Sequence, residues 1–360
     1  MSTVYLMANR ARLTKNGQTL VLKYDDSTQK VIFPFRTDLL VLIGNIDITT
    51  PALKLLMHHQ IDTVFLNKNG KFNGKLTFNR GKNVLLRLRQ FRLLDDEAFS
   101  LKIARAIALG KMRNQFVFAN RIKRERKVPE VHQTLEQMRA LLKKAQQADN
   151  VQTLRGLEGS HARLYFSIFK YAFLVDWADF PGRSMHPPKS NVNAVLSFLY
   201  TLIMNRVEAA LETEGLDPYA SFFHSINYGK VGLAFDLMEE FRVPLSDMLT
   251  VSLFNLGVLD PQDFRKATFS SDNDEFPLDM EIIEDEEEAE LVPVRREGIL
   301  LNEEGLRKVI TQFEKRLENQ ILHPHAERRM NFKQIIRYQA QHLKRVINGE
   351  EQYYKPLVIR

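Results

Sequence analysis

The spacing of apolar and polar positions divides the chain into two regimes. Over the first eighty or so residues, apolar side chains come in short β-branched and aromatic runs broken by turn residues. Residues 19–24 and 31–35 flank the polar turn Asp25-Asp26-Ser27, and residues 39–43 and 63–66 continue the series. Such runs predict strands, with Asn69-Gly70 and Asn73-Gly74 as turns. Between them, residues 50–56 predict a short helix, with Thr50 as its cap and Pro51 in the first helical position. Near Leu85 the period changes. Residues 95–126 place Phe99, Ile103, Ile107 and Phe116 at helical spacing. Further helical segments are predicted over 131–147, 151–175, 192–212, 232–241, 244–256, 302–319 and 332–347. The fold class is α+β: a small N-terminal β-rich domain over 1–85, then a larger, mostly α-helical domain over 95–360.

Composition narrows the chemistry. A chain of 360 residues, 44% hydrophobic and 26% charged, has the profile of an ordinary globular protein of about two domains. The apolar run over 39–48 is broken by Gly44, Asn45 and Asp47, and is shorter than the roughly 20 residues a membrane span needs. Met1–Tyr5 carries no charged leader. The expectation is a cytoplasmic protein with no membrane partner. With no cysteine in the chain, disulfides, thiolate zinc sites and cysteine nucleophiles are excluded. Any metal is held by oxygen and nitrogen, which favours Mg2+ or Mn2+.

Charge points to a polyanionic partner. Between Asp272 and Glu290 there are eleven acidic side chains and no Lys or Arg, and setting them aside moves the balance from +7 to +18. Such an excess favours phosphate backbones through counterion release. The acidic stretch at about 270–291 reads as a loosely held loop. The predicted helix over 95–126 is rich in cations, among them Lys102, Arg105, Lys111, Arg113, Arg121, Lys123, Arg124 and then Lys127. Such a run is a solvated helix face or a DNA contact.

Three places hold residues that phosphodiester chemistry could use, since it needs carboxylates, sometimes with a histidine, around a divalent cation. Glu158 sits between Gly156 and Gly159 in a helical segment. Each glycine costs about 1 kcal/mol there, which a helix accepts where another backbone or a ligand comes close. The plainer reading is a surface glutamate. His224 follows Phe222-Phe223 and precedes the turn-like 225–229; the plainer reading is a histidine at the edge of the core. Asp236 and Glu239 share a helix face, with Asp236 and Glu240 as the other pairing, over a stripe of Leu233, Leu237 and Phe241. Arg242 or a cation would relieve their repulsion. His58, His59, His132, His161, His186, His323, His325 and His342 fall in no ligand spacing.

Taken together and in order, LRGLEG over 154–159, PPKSNVNAVLSFLY over 187–200, GLDPY over 215–219 leading to His224, and LAFDLMEEFR over 233–242 resemble the CRISPR-associated integrase family known as Cas-one. Residues 332–356, with Arg337, Gln339 and Asn348-Gly349-Glu350, are similar to its last helix and tail. The resemblance covers nearly the whole chain. It implies a metal-dependent DNA endonuclease and integrase that inserts short fragments into a CRISPR repeat array by transesterification. Glu158, His224 and Glu239 would bind Mg2+ or Mn2+, with Asp236 close by; whether Asp236 or Glu239 is the ligand stays open, and Glu239 is favoured. Lys189, Asn193 and Tyr228 are the expected DNA contacts. The implied partners are double-stranded and branched DNA, a second copy of the chain (a homodimer through the N-terminal domain), and a small ferredoxin-like CRISPR adaptation subunit completing a heterohexamer. The chain departs from the family pattern at His161, Asn191 and Ser221, where alanine, aspartate and glycine are frequent. The alternative is a non-catalytic architectural DNA-binding protein.

Overall fold

The β-branched runs of the N-terminal region pair into one mixed sheet. The computed structural model describes residues 2–25, 28–77, 83–184, 187–269 and 296–359, so the acidic stretch and His186 lie outside the described residues. The chain divides into two units, Met1–Arg80 and Gly81–Arg360. In the first, β1 (Ser2–Asn16), β2 (Thr19–Tyr24), β3 (Gln29–Ile32), β4 (Thr37–Ile48), β5 (Asp62–Leu66) and β6 (Phe72–Leu76) stand in the order β3-β2-β1-β4-β5-β6. β4 runs parallel to both β1 and β5. Helix α1 (Thr50–His58) makes the crossover that a parallel β4–β5 pair requires. The core between sheet and helix is aliphatic, from Leu6, Leu13, Leu20, Leu40 and Leu42 to Leu55 and Leu56. Gly44 has φ +95°, and a Cβ there would lie 2.3 Å from the Ala8 carbonyl oxygen, so only glycine fits beside β1.

Two local expectations need correction. Asn73-Gly74 is not a turn: both residues lie in β6, with Gly74 paired to Phe65. The cap of α1 is Thr49, with Thr50 and Pro51 already in the first turn.

The second unit is helical: α2 (Val84–Leu94), α3 (Glu97–Arg126), α4 (Pro129–Gln146), α5 (Val151–Phe169), α6 (Asn191–Glu214), α7 (Gly232–Phe241), α8 (Met248–Asn255), α9 (Glu303–Glu318) and α10 (Phe332–Ile347). Two ribbons accompany them, β7 (Phe264–Phe269) with β8 (Arg296–Leu301) and β9 (Gln320–Leu322) with β10 (Arg329–Asn331). Of the helix predicted over 244–256, the first four residues belong instead to a π-helical turn, Arg242–Asp247, which joins α7 to α8. α3 packs on α4, α5 and α7, and α6 on α7 and α10. Every residue of α7 is buried, as expected of a helix enclosed by others. α6 is long and apolar enough to cross a membrane, but 72% of its apolar window is buried within the protein, as in a core helix.

After α10 the chain runs back without regular structure and is bonded to α3 and α7. Glu240 accepts from Tyr354 Oη at 2.6 Å, from Gln339 Nε2 at 2.8 Å, and from the Leu357 N–H. Asn114 donates to the carbonyls of Glu240 and Leu357 at 3.0 and 2.9 Å and accepts from the Ile359 N–H at 2.8 Å. Pro356 lies so near α3 that a Cβ on Gly110 would sit 2.6 Å from its own Cβ.

Candidate active site

The loop that carries His224 is shaped by its neighbours. α6 ends at Gly215, whose φ of +83° suits a glycine C-cap. Gln90 of α2 then donates to the carbonyls of Asp217 and Ala220 and accepts from the Asp217 N–H. Arg155 of α5 donates to the Phe223 carbonyl at 2.5 Å. Asp236 of α7 organises the rest. Its Oδ2 accepts from the N–H groups of Phe222 and Phe223 at 2.8 and 2.9 Å. Its Oδ1 accepts from the His224 N–H at 2.9 Å and lies 2.7 Å from His224 Nδ1. Ser221 Oγ adds a bond at 3.1 Å. With Nδ1–H committed to this carboxylate, the lone pair of His224 falls on Nε2.

Nε2 faces Glu239, 3.6 Å from its Oε1. Glu239 is fully buried, and Glu158 on α5 is 8% exposed. Lys111 of α3, 3% exposed, stands between them, its Nζ 2.7 Å from Glu158 Oε1 and 2.9 Å from Glu239 Oε2. Arg242 Nη2 takes the other Glu239 oxygen at 3.2 Å, the contact anticipated between Arg242 and the acidic pair. Lys111 thus links Glu158 of α5 to Glu239 of α7, and His224 faces Glu239 from the loop between α6 and α7. Glu240, the other member of that acidic run, points away into the C-terminal tail.

A buried layer supports this point. The Arg242 guanidinium lies over the Tyr200 ring, 4.6 Å from its centre, and that of Arg183 at 5.2 Å. Tyr200 and Tyr165 both donate to Asp247, at 3.0 and 2.9 Å. Burial pushes the Asp247 pKa up to about 6, against the pull of those two hydroxyls. His161, one turn beyond Glu158, is buried with Nδ1 2.9 Å from Gln115 Oε1. Burial, helped by the Lys111 charge, pushes its pKa down to about 3, so it is neutral.

Two carboxylates and an imidazole nitrogen form an oxygen-and-nitrogen donor set suited to Mg2+ or Mn2+. Both Glu239 oxygens are buried and lack a hydrogen bond of good geometry, although cations stand at ion-pair distance. The ammonium of Lys111 marks where positive charge is held. The residues therefore fit a divalent cation, although among the described residues no three His, Asp or Glu side chains stand at ligand spacing.

Other expected residues divide. Lys189 and Tyr228 are exposed. Asn193 is a correction: it is fully buried, its amide bonded to Gly182 O, Ser190 Oγ, Arg183 Nη1 and Ser184 N. It fastens the start of α6 instead of facing a ligand. At Gly156 and Gly159 a Cβ would meet no atom from outside the helix backbone within 4 Å, so no other backbone presses on them. Sequence reasoning missed Lys111, which it counted among the cations of a basic helix face. The available signal was spacing: Ile103, Ile107, Lys111 and Gln115 lie four apart on one buried stripe.

A mixed-sheet unit followed by a mostly helical unit is a fold shared with CRISPR-associated proteins. The family CRISPR associated protein Cas1 matches residues 4–270. The CRISPR-associated endonuclease Cas1 3 of Thermus thermophilus is 30% identical, over 100% of this chain and 98% of its own. The CRISPR-associated endonuclease Cas1 1 of Moorella thermoacetica is 28% identical, over 100% and 99%. The chain belongs to the Cas1 family. Among solved structures, a Cas1 protein from Thermotoga maritima superposes with a TM-score of 0.78 at 22% identity, over 98% of this chain and 99% of its own. A casposase bound to an integration product superposes at 0.80 and 19% identity, over 99% and 93%. These two bear on the fold. A chain of a Cas6-RT-Cas1–Cas2 complex superposes at 0.79 and 25% identity, covering 99% of this chain and 36% of its own.

Proposed function

We propose that this chain is a metal-dependent DNA endonuclease and integrase of CRISPR spacer acquisition, acting in the cytoplasm through Glu158, His224 and Glu239. The observation that supports the reading is the buried Glu158–Lys111–Glu239 bridge, with Asp236 holding the imidazole of His224 so that Nε2 faces Glu239. Glu158, Glu239 and His224 Nε2 would hold the cation, and Asp236 positions His224. Mg2+ or Mn2+, when bound, would supply positive charge against the negative charge on the phosphoryl oxygens in the transition state. The 3′-hydroxyl of an incoming fragment attacks a phosphorus in the repeat, a P–O bond forms, and the bond to the repeat's own 3′-oxygen breaks, leaving a new 3′-hydroxyl. Water in place of the fragment's hydroxyl gives cleavage. Lys189 and Tyr228 are the exposed candidates for DNA contact.

The partners proposed are double-stranded and branched DNA, a second copy through the N-terminal unit, and a ferredoxin-like small subunit. The Cas1–Cas2 assembly named above supports the last of these. The test is strand transfer of a short duplex with 3′-hydroxyl ends into a repeat-bearing plasmid, with the small subunit present, in Mn2+, Mg2+ or EDTA. Product should require metal and fall at least about 100-fold in Glu158→Ala, the scale on which essential catalytic groups act. DNA that is bound but neither cut nor joined in any metal would overturn the enzyme reading and leave the architectural one.

A further inference from the structure

We infer that Lys111 is a built-in counter-ion of the Glu158–Glu239 pair, and that a divalent cation enters this site by displacing its ammonium. The inference rests on the metal reading of the preceding subsection and adds a competitor from the chain itself. Two buried carboxylates brought together from α5 and α7 repel and are costly to desolvate, and a shared cation between them offsets both effects. Lys111 Nζ supplies that cation, touching one oxygen of each at 2.7 and 2.9 Å. Arg242 Nη2 reaches the other oxygen of Glu239 at 3.2 Å.

The ammonium and a metal ion claim the same atoms. A Mg2+ ion takes carboxylate oxygens at about 2.0–2.1 Å in a near-octahedral shell. Glu158 Oε1 and Glu239 Oε2 cannot offer that shell while Nζ holds both. Lysine suits an exchange because its charge rides on a flexible four-carbon stem and moves without the backbone. Metal uptake is then a swap of one cation for another, weaker than the carboxylates alone would give. The same lysine keeps the pair folded together when little metal is present.

The test uses the full chain without DNA and Mn2+ as the probe. Lys111→Met keeps the stem and removes the charge. It should bind Mn2+ at least tenfold more tightly than wild type in an EPR titration of free Mn2+, and its melting temperature should rise more on adding Mn2+. In the wild type, an amine-reactive label read by mass spectrometry should modify Lys111 faster with Mn2+ than without. The label decides alone if Lys111→Met fails to fold. Suppose Lys111→Met binds Mn2+ no more tightly and Lys111 labelling ignores Mn2+, while Glu158→Gln still weakens Mn2+ binding. The counter-ion inference is then overturned and the metal site stands. If neither Glu158→Gln nor His224→Ala changes Mn2+ binding, the metal reading falls and the inference with it.

Discussion

Asp236→Asn is the substitution whose consequences the structure specifies most closely. The carboxylate accepts from three consecutive backbone N–H groups, from Ser221 Oγ, and from His224 Nδ1. Asparagine can offer only one acceptor oxygen. If its amide nitrogen replaces Oδ2, it faces the Phe222 and Phe223 N–H groups and two bonds to a charged acceptor are lost, about 3–6 kcal/mol at 1.5–3 each. If it replaces Oδ1, only the His224 N–H loses its partner, because the imidazole can respond by moving its proton from Nδ1 to Nε2. That orientation costs about 1.5–3 kcal/mol and is the one adopted. It also turns Nε2 from a lone pair into an N–H pointing at Glu239. The variant should melt roughly 3–12 °C lower, at about 2–4 °C per kcal/mol for a large unit. Strand transfer should fall well beyond what the lost stability explains, and nitrogen NMR of labelled histidine should report the Nε2–H tautomer. A variant that melts with the wild type and keeps the Nδ1–H tautomer would refute the reasoning that Asp236 sets the imidazole.

Two further perturbations probe the support around the site. Asp247 has a pKa near 6 in the folded chain against an ordinary 3.8, so the folded state binds its proton more tightly. The stability this supplies is full below about pH 3.8 and is lost as pH rises through 6, about 1 kcal/mol of it between pH 5 and 7. Asp247→Asn should remove that loss from the difference in urea midpoints at the two pH values; an unchanged difference counts against it. Gly110→Ala and Gly156→Ala should move stability in opposite directions. The first drives a methyl to 2.6 Å from Pro356 Cβ and should cost about 1–3 kcal/mol. The second meets nothing within 4 Å and should gain about 0.5–1 kcal/mol from helix propensity. Equal effects in thermal unfolding would contradict the packing described for the tail.

What the sequence reveals here follows what one element decides alone. α7 is read to the residue and α3 nearly so, because apolar period is a property of a single segment. Asn73-Gly74 is misread because the pull of β5 on β6 outweighs a turn-forming dipeptide. α2 escapes notice because Val84, Leu85, Leu88 and Phe91 are exposed and give no clean buried stripe. The same division holds at the site. Glu158, His224, Asp236 and Glu239 are legible through short motifs, whereas the roles of Lys111 and Asn193 depend on which segments meet in space. A charge in a basic helix reads as solvated until its position on the Ile103–Ile107 stripe is counted.

The C-terminal tail gives the protein an order of assembly. Glu240 is synthesised more than a hundred residues before the groups that satisfy it, Tyr354 and Leu357, and Asn114 waits some 240 residues for the Leu357 carbonyl and the Ile359 N–H. Until those residues emerge from the ribosome, a buried carboxylate beside Glu239 lacks two of its donors, and α3 and α7 lack their shared tie. In chain order, the bonds from residues 354–359 to α3 and α7 are therefore among the last of the described contacts that can form.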